Sequence, residues 1–142
     1  MTSRAYLTNH YIKKYYNMKT IIKTSKAPMP IGPYNQAVLH GNMLFISGQI
    51  PINPETKELV KGVKDGTLQV MSNLKAILNE AEMSFENVVK TSIFLKNMDD
   101  FTQVNDTYGS YFDEKTAPAR ETVQVAKLPL DVAVEISMIA IK

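Results

Sequence analysis

Two charged side chains in the C-terminal quarter of the sequence have unusual surroundings. Arg120 follows Pro118 and Ala119 at the start of a predicted strand. Glu135 is the single charge inside a strand that is otherwise apolar. An arginine in this position could bind an anion. The pattern also fits a surface ion pair at Arg120 and a charge that protects a sheet edge at Glu135.

The spacing between these two residues suggests how they are arranged. Residues 118–127 and 132–142 are predicted to pair as a C-terminal hairpin. In that register Arg120 and Glu135 lie on the same face of the sheet, about four residues or ~13 Å apart along the strands. A gap of this size excludes a direct salt bridge, and it could hold a small molecule or a neighbouring subunit.

Several other polar or aromatic side chains have weaker signals. Tyr34 lies in the loop IGPYNQA, Ser47 and Gly48 end a predicted strand, and Asn105 borders the apolar stripe of a helix that also contains Phe101. From the pattern alone, each is more typical of a structural position than of a site.

The segments that contain these residues show two kinds of apolar repeat, one typical of strands and one typical of helices. Strand patterns occur at residues 19–23, in QAVLH and MLFISGQI around Gly41 and Asn42, and at residues 88–96. Helical stripes occur between Lys64 and Met83 and again after Asp99. The predicted order is β-β-β-α-β-α-β-β, an α+β domain with a mixed sheet of about six strands and two helices on one face.

The last strand is apolar on both of its sides. Val134, Ile136 and Met138 alternate with Ile139 and Ile141. Helices on one side of the sheet would leave the second apolar face uncovered, and monomers rarely expose such a patch. The pattern therefore predicts a homo-oligomer in which sheets pack together.

The composition excludes several kinds of chemistry. The chain has 142 residues, which fits one globular domain, and no Cys, which excludes disulfides and thiol nucleophiles. His10 and His40 are the only histidines, and no His, Asp or Glu cluster has metal-ligand spacing. The motifs typical of dinucleotide sites, P-loops and serine hydrolases are also lacking. We predict no metal and no cofactor.

Charge is unevenly distributed along the chain. The net charge is +2, yet residues 55–142 contain 10 basic and 14 acidic residues, so the excess of positive charge lies before Glu55. Residues 1–17 have no apolar run that fits a secretory signal or a membrane span. We predict a flexible N-terminal extension over residues 1–17 and one domain over residues 18–142. A cytoplasmic location is expected, with the mitochondrion as the alternative if the extension is a presequence.

Four co-linear motifs carry a family resemblance: IGPYNQA, SGQIPINPET, VVKTSIFLKNMDDFTQVNDTY and PARETVQVAKLPLDVAVEISMIAIK. Across residues 18–142 the chain resembles the reactive intermediate deaminase A (RidA, or YjgF) family. The resemblance implies a chorismate-mutase-like subunit, a homotrimer, and active sites in clefts between adjacent subunits. It also implies hydrolysis of 2-iminobutanoate and 2-iminopropanoate, the products of pyridoxal-phosphate-dependent threonine or serine dehydratases, to 2-oxo acids and ammonia, without a cofactor.

The resemblance also implies roles for individual residues. Arg120 matches the arginine that binds the substrate carboxylate, for which a planar guanidinium is suited. Glu135 matches the acid that orients or deprotonates the attacking water. The remaining predicted substrate-binding residues are Tyr34, Ser47, Gly48, Phe101, Asn105 and Thr122. Thr122 stands where many members have Cys, and Glu82 stands where a helix-ending Gly is common.

Two other functions remain open. A non-catalytic small-metabolite sensor or regulator would bind carboxylates without turnover. An endoribonuclease or translation inhibitor would need phosphate-binding groups, and the acidic balance of residues 55–142 makes nucleic acid an unexpected partner.

Overall fold

The structure, a computed structural model, describes residues 18–142. The predicted extension over residues 1–17 lies outside the described residues. Six strands and two helices follow one another in the predicted order: β1 Lys19–Ile22, β2 Ala37–His40, β3 Met43–Gln49, α1 Val63–Glu80, β4 Val88–Leu95, α2 Phe101–Gly109, β5 Ala119–Gln124 and β6 Val134–Ile141. The α+β prediction is confirmed.

The local predictions agree with the structure in detail. β2 and β3 form a hairpin around Gly41 and Asn42, and Gly41 has the positive φ of 61° that such a turn favours. The predicted stripe of α1 is buried throughout, and Asp65 lies in the first turn of that helix, where the helix dipole favours a carboxylate. Glu82, which follows α1, has a φ of 57°, which explains why glycine suits this position.

The predicted C-terminal hairpin is wrong. The strand order in the sheet is β1-β2-β3-β6-β4-β5, so β6 lies between β3 and β4. β5 is the edge strand and pairs with β4 in parallel, whereas β6 pairs with β4 in antiparallel orientation. The connection from β5 to β6 must therefore cross the end of β4.

Burial explains this order. β6 is apolar on both sides and gains most from a central position, where neighbouring strands cover its edges. β5 contains Arg120, Glu121 and Gln124 and is largely exposed, which suits an edge. The segment between them contains Pro129, so it is poorly suited to a tight two-residue turn between paired strands.

The helices cover one face of the sheet, as predicted. Tyr108 and Val104 of α2 and the apolar stripe of α1 pack on the buried side of the sheet, together with Ile136 and Met138 of β6. The other side carries exposed apolar residues, among them Phe45 with 43% of its surface accessible. This open face agrees with the apolar second side predicted for β6.

The strand register also corrects the predicted placement of the two charged residues. Arg120 is opposite Thr91 of β4, and Thr91 is fully buried on the helix side. Glu135 is opposite Phe94 of β4, three residues further along. Because alternate residues of a strand point to opposite faces, Arg120 and Glu135 lie on opposite faces of the sheet, with β4 between their strands.

Candidate active site

Arg120 lies in a cluster built by β5 and α2. Its Nη1 donates a hydrogen bond of 2.9 Å to Oδ1 of Asn105. Its guanidinium carbon lies 5.3 Å from the ring centroid of Tyr108 and 5.9 Å from that of Phe101, which are cation–π distances. The predicted neighbours Asn105 and Phe101 are therefore brought together with Arg120.

Within residues 18–142 the guanidinium of Arg120 forms no ion pair with a carboxylate. The three ion pairs formed by the described residues involve other cations, and that of Glu121, the next residue, is with Lys90 at 2.8 Å. The surface ion pair considered from the sequence is thus not formed in the part of the chain that the structure describes. An amide and two ring faces orient Arg120 without neutralising it, so its charge remains available to an anion.

The same side of β5 fixes α2 in place. Gln124 accepts a hydrogen bond of 2.8 Å from the backbone amide of Met98, in the turn that leads into α2. Tyr108 donates a hydrogen bond of 3.0 Å to Thr91, and burial raises the pKa of its hydroxyl despite the opposing effects of Thr91 and Arg120. These contacts hold α2 against the edge strand and so fix the position of the Arg120 cluster.

Thr122 lies two residues after Arg120 on the same side of β5. Its hydroxyl oxygen is buried and has no hydrogen-bond partner within residues 18–142. A buried polar atom without a partner is costly, and such atoms are uncommon in native structures. The register thus places Thr122 near Arg120, with its hydroxyl enclosed by the protein.

Glu135 lines a cleft of about 480 Å³. Burial raises the pKa of its carboxyl, and no ion pair formed within residues 18–142 includes it. Because β6 is central, Glu135 is not the edge-protecting charge that the sequence also allowed. The cleft has a mostly apolar lining that includes Pro28, Met29, Ile31, Tyr34, Gln36, Ser47, Gly48, Gln49, Ile50, Ile52, Pro129 and Leu130.

A bulge in β3 gives Glu135 its space. The register with β6 shifts between Ile46 and Gln49, so that Ser47 and Gly48 together oppose a single residue of β6. A Cβ atom on Gly48 would lie 2.9 Å from Cδ of Glu135, which is too close. A side chain at position 48 would therefore displace the Glu135 carboxyl from its present position.

A buried amide organises the loop that contains Tyr34. Gln36 is almost fully buried and donates through Nε2 to the backbone oxygens of Thr24, Ala27 and Pro28 at 2.9 to 3.1 Å. Ser47 Oγ donates to the oxygen of Asn35 at 2.6 Å. Tyr34 is held at the cleft with half of its surface exposed, so it is not the packed loop aromatic that the pattern favoured.

The predicted site residues thus fall into two groups. The Arg120 group comprises Arg120, Asn105, Phe101 and Thr122, and the Glu135 group comprises Glu135, Tyr34, Ser47 and Gly48. Sequence reasoning did not single out Gln36 or Leu130 as site residues, nor Tyr108, a core residue whose ring also faces Arg120. Only the position of Gln36 within IGPYNQA could have drawn attention to it.

Neither group contains a metal-binding arrangement. Within residues 18–142, no three His, Asp or Glu side chains are grouped so that they could hold a metal ion. No helix in this part of the chain is long and apolar enough to cross a membrane.

Residues 24–142 match the family model described as Endoribonuclease L-PSP. A RutC family protein of Pyrococcus horikoshii is 53% identical over 126 residues, 88% of this chain and 99% of that protein. A protein of Escherichia coli named 2-iminobutanoate/2-iminopropanoate deaminase is 46% identical over 127 residues, 88% of this chain and 99% of that one. The crystal structure of E. coli TdcF with bound serine has a TM-score of 0.82 and 43% identity, and the match covers 87% of this chain and 98% of that chain.

These matches, together with the fold, show which protein family the chain belongs to. The chain belongs to the Endoribonuclease L-PSP family, which includes the RidA, YjgF and RutC proteins. The predicted RidA resemblance and the chorismate-mutase-like fold are both confirmed.

Proposed function

We propose that the protein is a 2-imino acid deaminase that hydrolyses 2-iminobutanoate and 2-iminopropanoate to the 2-oxo acids and ammonia. One observation carries the proposal: the described residues, 18–142, include both an oriented arginine and a half-buried glutamate, and neither forms an ion pair within this range. The first suits a substrate carboxylate, and the second suits a proton transfer. The name of the E. coli relative supports this choice of substrate.

In the proposed reaction each residue has one task. The Arg120 guanidinium binds the carboxylate of the imino acid. Glu135 accepts a proton from a water molecule as the water oxygen bonds to the imine carbon, and this proton passes to the imine nitrogen to give a carbinolamine. Glu135 then accepts the hydroxyl proton of the carbinolamine and returns it to the nitrogen, so the C–N bond breaks, ammonia leaves and the C=O bond of the 2-oxo acid forms. Positioning supplies much of the rate, because the imine carbon is already electrophilic.

We propose further that the two groups meet between subunits of a homotrimer. Arg120 and Glu135 lie on opposite faces of one sheet, so a single chain does not present both to one small molecule. A neighbouring copy could bring its Glu135 cleft to the Arg120 cluster. The exposed apolar residues of the open face, Phe45 among them, support packing between copies.

Trapping of the imine tests the activity. Purified protein is added to a threonine dehydratase reaction that contains semicarbazide, which traps surviving 2-iminobutanoate. We expect less trapped imine with the wild-type protein than with Arg120→Ala or Glu135→Gln, and the variant Glu80→Gln, on the exposed end of α1, is the matched control. Unchanged trapping with the wild-type protein would refute the deaminase.

Subunit mixing tests the shared site. The variants Arg120→Ala and Glu135→Gln are each expected to be inactive alone. If they are unfolded together, mixed at equal amounts and refolded, random assembly gives about one quarter of the sites an intact Arg120 and an intact Glu135 from different chains. Recovery of about a quarter of wild-type activity supports the shared site, whereas no recovery contradicts it.

The name of the matched family makes RNA cleavage the second candidate. The acidic balance of residues 55–142 argues against it, since nucleic-acid binding depends on positive charge. Cleavage of RNA that is lost in the same Arg120 and Glu135 variants would favour this candidate. Binding of 2-oxo acids without turnover would favour a metabolite sensor.

The proposed partners follow from the substrate. Pyridoxal-phosphate-dependent threonine and serine dehydratases would supply the imine, and removal of this reactive product would protect the cell from metabolite damage. We place this activity in the cytoplasm. Mass spectrometry of the N-terminus of the native protein tests the location, because cleavage near residue 17 would instead indicate import into an organelle.

A further inference from the structure

The connection between β5 and β6 carries a large apolar side chain on a strained backbone. Leu130 has φ 53° and ψ 20°, and Asp131 after it has φ 57°. This left-handed conformation is unfavourable for residues other than glycine, although aspartate tolerates it better than leucine does. Leu130 nevertheless leaves 61% of its surface exposed. Backbone strain that is retained without burying the side chain suggests a function.

The surrounding contacts keep this segment in place. Three contacts fix it to the end of β4: Val125 N to Leu95 O at 3.0 Å, Lys96 N to Ala133 O at 3.0 Å, and Lys96 Nζ to Asp131 Oδ2 at 2.8 Å. They arise because the chain must cross β4 between the edge strand and the central strand. The position of Leu130 is therefore a consequence of the strand order.

Leu130 and Pro129 form part of the wall of the cleft that contains Glu135 and Tyr34. If Glu135 activates water beside the imine carbon, that carbon lies in this cleft. The aliphatic side chain of the substrate is attached to that carbon, so it can extend along the wall of the cleft while the carboxylate is directed towards Arg120. The neighbouring wall is apolar and suits an alkyl group.

We propose that Leu130 is a specificity-determining residue that contacts the aliphatic side chain of the substrate. This assignment rests on the proposed 2-imino acid site and names the residue that selects among its substrates. In its left-handed conformation Leu130 forms part of the wall of this cleft.

A series of 2-oxo acids tests this assignment by binding alone. Dissociation constants for 2-oxopropanoate, 2-oxobutanoate and 2-oxopentanoate are measured by calorimetry. We expect each added methylene to tighten binding to the wild-type protein by up to about fourfold, which corresponds to ~0.8 kcal/mol for a buried methylene. In Leu130→Ala, the factor by which each added methylene tightens binding should fall towards one. Leu68→Ala, an exposed leucine on α1, should keep the wild-type gain.

A second variant separates selection from stability. Leu130→Gly also removes the side chain but relieves the backbone, so its melting temperature should rise by a few degrees, about 3 °C. We expect it to lose the methylene gain while becoming more stable. If Leu130→Gly and Leu130→Ala retain the wild-type gain, or if the wild-type protein shows none, the assignment is overturned.

The result can be distinguished from a failure of the proposed function. Imine hydrolysis together with a methylene gain that does not depend on Leu130 would overturn this assignment alone. A Leu130-dependent gain without imine hydrolysis would support the assignment and refute the deaminase.

Discussion

The Arg120 cluster and the Glu135 cleft differ in how each charge is held. Arg120 is on an exposed edge strand, and its guanidinium is oriented by Asn105 and by the rings of Phe101 and Tyr108. Glu135 is on a central strand, where burial raises the pKa of its carboxyl. In the first region, contacts with uncharged groups orient a permanent charge. In the second, a titratable carboxyl forms no ion pair with any of the residues that the structure describes.

This difference matches two kinds of chemistry. A binding group must keep its charge and its direction, which contacts to uncharged groups provide. A group that exchanges protons works best when its pKa lies near the working pH, which partial burial favours for a carboxyl. The comparison therefore predicts that the two residues respond differently to substitution and to pH.

The largest expected effect is at Glu135. Loss of a positioned general base should lower kcat/KM for the imine by about 10²- to 10⁴-fold in Glu135→Gln. In the wild-type protein kcat/KM should fall as pH falls through the raised pKa of this carboxyl, because protonation removes the base. The pH at which kcat/KM reaches half of its maximum should lie above the ordinary pKa range of glutamate. If the residual activity of Glu135→Gln shows the same pH dependence of kcat/KM as the wild-type protein, Glu135 is not the general base.

The next effect is at Arg120. Arg120→Lys keeps the charge but loses the planar fork, and it should lower kcat/KM by about 10- to 100-fold, or ~1.5 to 3 kcal/mol. The pH profile should keep its wild-type half-point, because the base is intact. Steady-state kinetics over a range of pH measure both the decrease in kcat/KM and the half-point of the pH profile. A shifted half-point would mean that the two regions are not independent.

A smaller effect is expected at Asn105. Asn105→Ala removes the hydrogen bond that orients Arg120 and should lower kcat/KM by about two- to tenfold, or ~0.5 to 1.5 kcal/mol. Asn105→Asp should be more harmful, because its carboxylate would neutralise the guanidinium. Affinity for 2-oxobutanoate gives the same ranking without turnover. Equal affinities of the two variants would show that the charge of Arg120 does not govern binding.

The smallest effect concerns stability. The raised pKa of Glu135 means that folding favours its protonated form, so its contribution to stability is fully present below the unfolded pKa and is lost as pH rises through the folded pKa. Glu135→Gln should therefore melt at a slightly higher temperature than the wild-type protein near neutral pH. The difference should vanish in acid, and thermal melts over a pH series measure it. A glutamine variant that is less stable near neutral pH would indicate that Glu135 has a stabilising partner.

Most of the fold could be predicted from the sequence, whereas the arrangement of the site could not. The α1 stripe and the two-sided apolar pattern of β6 are periodicities that local side-chain directions impose, and both appear in the structure. The family motifs identified the candidate residues. The bulge at Ser47 and Gly48 and the buried amide of Gln36 have no periodic signal, because each depends on groups that are distant in the chain.

The amino-acid sequence by itself determined the order of the elements, the apolar faces and the chemical groups available for catalysis. Tertiary structure alone decided that β6 enters the sheet between β3 and β4. The physical reason is that a strand pattern specifies which residues share a side, while pairing specifies which strands are neighbours. In the central position β6 has a paired strand at each edge, with one of its sides buried and the other partly exposed. That choice placed Arg120 and Glu135 on opposite faces and carried Leu130 across the end of β4.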